Sequence, residues 1–129
     1  MTGAGPGGPG MGSLVADDAG SGPVVLLLHG QPGRARDWHR VQARLTDSCR
    51  VLIPDRLGYG RTGGRAAGFA ANADACLALL DRLGVDRAVV AGHSWAGAVA
   101  LALAEHHRDR VAGLALVASV APGEVPGRL

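Results

Sequence analysis

The stretch Val89-Val90-Ala91-Gly92-His93-Ser94-Trp95-Ala96-Gly97-Ala98-Val99-Ala100-Leu101 constrains this chain more than any other. A short β-branched run stops at a small residue, presents one serine, and restarts as an alanine-rich helix predicted over Trp95–His107. Gly92 and Ala96 stand two positions to either side of Ser94, where bulk would collide as the backbone folds back on itself. A strand that turns directly into a helix is the repeating unit of α/β layers.

The rest of the chain repeats that alternation. Val24–Leu28 is a continuous apolar run between Pro23 and Gly30, Arg50–Ile53 is closed by Pro54, Val85–Ala91 leads into the serine, and Val111–Val117 follows the helix. The first three are read as strands buried on both faces, and Val111–Val117 as a fourth apolar strand. Between them, a helix is predicted over Arg36–Leu45 with Trp38, Val41 and Leu45 on one face. A second, over Ala70–Leu83, presents Ala73, Leu77, Leu80 and Leu83, and Gly84 stops it at the C-cap. The expected fold is α/β: a parallel sheet of about four strands, right-handed crossovers, and helices on both faces. Residues 1–20 are read as a disordered Gly/Pro-rich tail, with Leu14–Ala16 a candidate short strand and Asp17–Pro23 a turn cluster. Residues 21–129 form one partial domain on this reading. The last strand is apolar with nothing after it to cover its open side, so self-association through that edge is expected.

Charge and cysteine usage exclude several classes. The formal charge of +2 rests on 13 scattered arginines, and only 3% of residues are aromatic, so no nucleic-acid face is predicted. Cys49 and Cys76 have neither metal-ligand spacing nor a disulfide framework, which fits a reducing compartment. The first basic residue is Arg34 and no apolar run approaches a membrane span, so the expected location is cytoplasmic. Gly58–Gly63 formally spells G-x-G-x-x-G, but a dinucleotide fingerprint sits directly between strand and helix with an acidic residue about 20 positions on. Here no helix opens before Ala70, and Asp81 falls inside it; Gly3–Gly8 spells the same pattern in the tail. A dinucleotide-binding module is therefore a distant alternative.

Gly92-His93-Ser94-Trp95-Ala96 approximates G-x-S-x-G, the layout of a nucleophile elbow. Acyl transfer at a serine needs a nucleophile, a base, a group that orients the base, and donors for the oxyanion. Ser94 is the candidate nucleophile. The candidate oxyanion donors are the backbone N–H groups of Trp95 and Gln31, on loops at the carboxyl ends of neighbouring parallel strands.

Three motifs, His29-Gly30-Gln31-Pro32-Gly33, Asp55-Arg56-Leu57-Gly58-Tyr59-Gly60-Arg61-Thr62 and Gly92-His93-Ser94-Trp95-Ala96-Gly97, occur in this order and spacing. Together they resemble the N-terminal half of the α/β-hydrolase fold family, over roughly Ser21 to Val120. The resemblance implies a serine-type hydrolase acting on an ester or similar small acyl substrate, with no metal or cofactor. It matches Ser94 to the nucleophile, and Gln31 and Trp95 to the oxyanion donors. It makes Asp55–Thr62 a mainly structural loop, with Thr62 at the family's serine position and Leu57 where Arg or Pro is frequent. Members that cleave epoxides or carbon–halogen bonds carry Asp where this chain has Ser94. Trp95 and Trp38 are candidates to line an apolar pocket.

The family's order is Ser, then Asp or Glu, then His, which puts the histidine beyond Leu129. The chain is therefore expected to be truncated, lacking the lid and the C-terminal strands. Glu124 lies where some members place the acid. His29 and His93 belong to the turn motifs and His39 to the first helix, while His106 and His107 end a helix ~15 Å from its start. None fits the base, whose loss costs ~10²–10⁴ in rate. The alternative expectation is a catalytically silent hydrolase-like fragment that acts as an interaction module.

Overall fold

In the computed structural model, which describes residues 13–119, five strands form one sheet. They are β1 (Ala16–Gly20), β2 (Val24–Leu28), β3 (Arg50–Pro54), β4 (Ala88–His93) and β5 (Val111–Val117), in the order β1-β3-β2-β4-β5. The four apolar strands run parallel. Helices α2 (Phe69–Arg82) and α3 (Ala96–His106) cover one face, and α1 (His39–Leu45), preceded by a 3₁₀ turn over Ala35–Trp38, lies on the other.

The pleat explains why β2 is apolar at every position. Leu26 and Leu28 enter the core under α2 and α3 with Leu52, Leu79, Val90 and Val99. Leu27, between them, enters the opposite core with Val51, Ile53 and Ala91. Each fully buried leucine contributes about 1.5–3 kcal/mol by leaving water.

Three expectations need correction. The turn cluster at Asp17–Pro23, and with it the end of the expected tail, gives way to β1, which pairs antiparallel with β3 from Ala16↔Pro54 to Gly20↔Arg50. Two aspartates are tolerated there because β1 is an edge strand and each has a cationic partner. Asp18 accepts from Arg50 Nε and Nη2 at 2.9 and 2.8 Å, and Asp17 from Arg61 Nη1 at 2.8 Å. Residues 1–12 of the expected tail lie outside the described residues. Second, β4 begins at Ala88 rather than Val85. Gly84, at φ +69°, closes α2, the Val85 N–H donates to the Leu80 carbonyl at 2.8 Å, and the charged Asp86 and Arg87 follow, so the apolar run and the strand both start at Ala88. Third, Val41 does not share the buried face with Trp38 and Leu45 but is 39% exposed. Trp38 belongs to the tighter 3₁₀ turn, which shifts its phase against α1.

The outer edge of β5 leaves Leu114, Leu116 and Val117 exposed. Among the described residues, no helix is long and apolar enough to cross a membrane.

Candidate active site

The β4 ladder runs to His93, opposite Val117, and the Ser94 N–H then donates to the Val117 carbonyl at 3.0 Å. The Ser94 carbonyl in turn accepts from the Gly97 N–H at 2.9 Å, opening α3. One residue must reverse the chain between strand and helix, and Ser94 does so at φ +55°. A side chain in that left-handed region costs roughly 1–2 kcal/mol. A methyl on Gly92 would collide with the Ala96 carbonyl oxygen, which is why bulk is excluded there. Ser94→Gly is expected to raise stability by about 1 kcal/mol, or roughly 4 °C in melting temperature. A thermal melt with no gain would mean that the turn stores no strain.

The turn after β2 meets this serine. β2 and β4 are paired neighbours, with Leu28 opposite Gly92. A Cβ built on Gly30 would lie 3.2 Å from Ser94 Cβ and 2.8 Å from His93 Nδ1, so the two turns are in contact. Gln31 follows directly and is exposed, and Trp95 takes helical dihedrals of −53° and −36°. Among the described residues, no turn or side-chain acceptor takes up the Gln31 or Trp95 amide.

Below the turns lies a buried polar network. His29 is fully buried; its Nε2 accepts the Arg56 N–H at 2.9 Å, so Nδ1 carries the proton and donates to the Gly30 carbonyl at 2.8 Å. Burial pushes its pKa below the ordinary value. The folded state therefore resists protonating His29 while the unfolded chain, near 6.5, does not, so this contribution is present above pH 6.5 and is lost as pH falls. Melting temperature should fall between pH 6.5 and 5, and His29→Asn should flatten that part of the profile; an equal slope in the variant would assign the loss to other groups.

Arg56 is 1% exposed, and its Nε and Nη2 donate to the His29 and Gly30 carbonyls at 2.9 and 3.0 Å. Its guanidinium carbon lies 4.4 Å from the Trp95 ring centroid and 4.6 Å from that of Tyr59. Asp55, 2% exposed, accepts from the Ala35 N–H at 2.6 Å, the Arg61 N–H at 3.1 Å and Arg61 Nε at 2.7 Å. Burial opposes its ionisation, but these donors outweigh it and hold the carboxyl below its ordinary pKa. The Thr62 hydroxyl donates to the Asp55 carbonyl at 2.5 Å and accepts the Val15 N–H at 2.9 Å, fastening the loop to the start of β1.

The structure thus brings Ser94, Gly30 and the Gln31 and Trp95 amides to one end of the sheet. It brings no described histidine to Ser94 by hydrogen bond. His29 uses both ring nitrogens elsewhere, His39 Nε2 lies 2.7 Å from Asp17, His93 packs edge-on to Trp38 at 6.4 Å, and His106 and His107 sit at the far end of α3. Glu124 lies outside the described residues. Trp95 stacks on Phe69 at 4.5 Å, whereas Trp38 belongs to the core beside α1, so the two tryptophans do not share a pocket. A cavity of about 460 Å³ opens on the Asp55 side of the network, between Asp17, Arg34, Arg36, His39 and Arg61, and neither Ser94 nor Gln31 nor Trp95 lines it. The Cys76 thiol is fully buried and its pKa is pushed up to about 12, which keeps it protonated. Among the described residues, no cluster of three or more His, Cys, Asp or Glu side chains is placed to hold a metal. Sequence reasoning passed over Arg56; its signal was a charged pair, Asp55-Arg56, directly after a run of apolar strand residues.

Residues 23–129 match the family described as alpha/beta hydrolase fold. The lipase LipV of Mycobacterium tuberculosis is 43% identical over 99 residues, which are 75% of this chain and 38% of the lipase. Haloalkane dehalogenase 2 of Mycobacterium bovis is 35% identical over 103 residues, 77% of this chain and 36% of that protein. A thermophilic esterase from Thermogutta terrifontis superposes with a TM-score of 0.83 at 37% identity, covering 88% of this chain and 43% of the esterase. The chain spans less than half the length of each.

Proposed function

The chain belongs to the alpha/beta hydrolase fold family, and from that premise we propose that it carries the nucleophile-bearing part of a serine-type hydrolase for esters or similar small acyl substrates. The observation that carries this reading is the left-handed Ser94 turn, at φ +55°, with the Gly30 turn packed against it. Ser94 Oγ attacks the acyl carbon and its proton passes to a base; the carbonyl oxygen becomes an oxyanion. The Gln31 and Trp95 amides face that charge as it develops, and the N-terminal end of α3 adds a favourable dipole. Collapse of the intermediate expels the alcohol, which takes the proton back, and leaves an acyl-serine for water to hydrolyse. The likeness to a lipase and an esterase supports ester chemistry. Serine, rather than the aspartate that the family resemblance places in carbon–halogen cleavage, weighs the same way.

A fluorophosphonate probe tests this directly, because it bonds to an activated serine hydroxyl. One adduct on the Ser94 peptide is expected, formed ~10²–10⁴ more slowly than with a paired histidine. A folded chain that takes up no adduct would instead favour an interaction module without turnover. That second reading draws on the histidines, none of which among the described residues is hydrogen-bonded to Ser94.

A further inference from the structure

We propose that Arg56 is a positioning residue that holds both oxyanion donors, Gln31 N–H and Trp95 N–H, in register through one guanidinium; this rests on the assignment of Ser94, Gln31 and Trp95 above. Two of its side-chain donors serve the β2 turn: Nε donates to the His29 carbonyl and Nη2 to the Gly30 carbonyl. The Gly30 carbonyl and the Gln31 N–H belong to one peptide unit, and Gln31–Pro32 is the cis bond of this turn, not Gly30–Gln31. In a planar trans peptide the oxygen and the hydrogen point in opposite directions. Fixing the Gly30 oxygen from below therefore aims the Gln31 hydrogen away from Arg56. Glycine at position 30 would otherwise leave that peptide free to rotate.

The second donor is held by the guanidinium's face. Arg56 lies over the Trp95 ring, and Trp95 supplies the other amide. Tyr59 also lies against the cation, so two rings contact the planar group. A planar fork bonds along its edges and stacks on its faces at once, which an ammonium cannot do. Burying a cation is costly, and among the described residues no carboxylate pairs with Arg56. Stability alone gives little reason to keep it there; the geometry of the two amides does.

The test compares the full chain with Arg56→Met and Arg56→Lys. It measures fluorophosphonate labelling rate, melting temperature and amide order parameters from ¹⁵N relaxation on the same samples. Both variants should label about 10²-fold more slowly, and the Gln31 amide order parameter should fall from about 0.85 towards 0.6. A wild-type labelling rate in folded Arg56→Met, or full rescue by lysine, overturns the positioning role. If the wild-type chain itself takes no label, the Ser94 assignment fails. A loss of order confined to Gln31 and Trp95 then still supports the clamp, and unchanged order overturns it. Should neither variant fold, Tyr59→Leu removes one stacking face while leaving the hydrogen bonds, and the same two readouts decide.

Discussion

Ser94→Ala is expected to bring fluorophosphonate labelling to background and to lower p-nitrophenyl ester turnover by removing the acyl-serine step. The probe bonds to Oγ, so removing that atom removes the reaction rather than slowing it. The loss in turnover is smaller than in an enzyme with a paired histidine and stops short of the buffer rate, because the oxyanion donors that remain supply ~10³–10⁴ over water on their own. The fold should survive. Alanine bears the φ of +55° about as well as serine, and the turn is held by main-chain bonds to Val117 and Gly97. The melting temperature is therefore expected to stay within a few degrees, as for a substitution worth under about 0.5 kcal/mol. Undiminished ester turnover in the alanine variant would move the chemistry to another residue.

Asp55→Ala is expected to carry the largest stability loss, about 3 kcal/mol and roughly 10 °C in melting temperature. The carboxylate is the acceptor for a buried backbone donor, the Ala35 N–H, and without it that group has no partner. The Arg61 side chain is 48% exposed, so water replaces much of what it loses and its share is small. Asp55→Asn retains the oxygen facing Ala35 but sets an amide N–H₂ against the Arg61 donors, so about half the loss is expected. The folded pKa of Asp55 lies below its unfolded value of 3.8. Its contribution is complete above that pH and disappears as pH falls through the folded value, so the wild-type and Asn curves should converge in acid. Urea midpoints at pH 7 and pH 3 check both statements. An unchanged midpoint for Asp55→Ala at pH 7 would remove Asp55 as an organiser of the loop.

Some elements were legible because one local property decided them. Val24–Leu28 and Val111–Val117 form strands with the bounds the apolar runs give, although only the first is covered on both faces and the second leaves Leu114, Leu116 and Val117 exposed. β1 was not legible: Ala16-Asp17-Asp18 disfavours a strand, and its stability comes from Arg50, Arg61 and His39, all remote in sequence. The meeting of the Gly30 and Ser94 turns could be anticipated from the motifs and their order. Arg56 was legible only as a charge closing an apolar run, because its burial depends on Trp95, remote in sequence, as well as on Tyr59 in its own loop. A buried charge is a property of neighbours, and neighbours at this distance leave no periodic trace.

The central pairing of β2 with β4 sets Val25 opposite Val89, and the two turns that meet at Ser94 hang from these strands. Joining segments so far apart must bear the entropy of closing a long loop, which makes parallel ladders late and slow to form. Helical content can recover during refolding well before the hydroxyl finds its amides. Probe uptake at Ser94, sampled against time after dilution from denaturant, would then act as a clock for the closing of the sheet's middle, lagging the circular-dichroism signal of the helices.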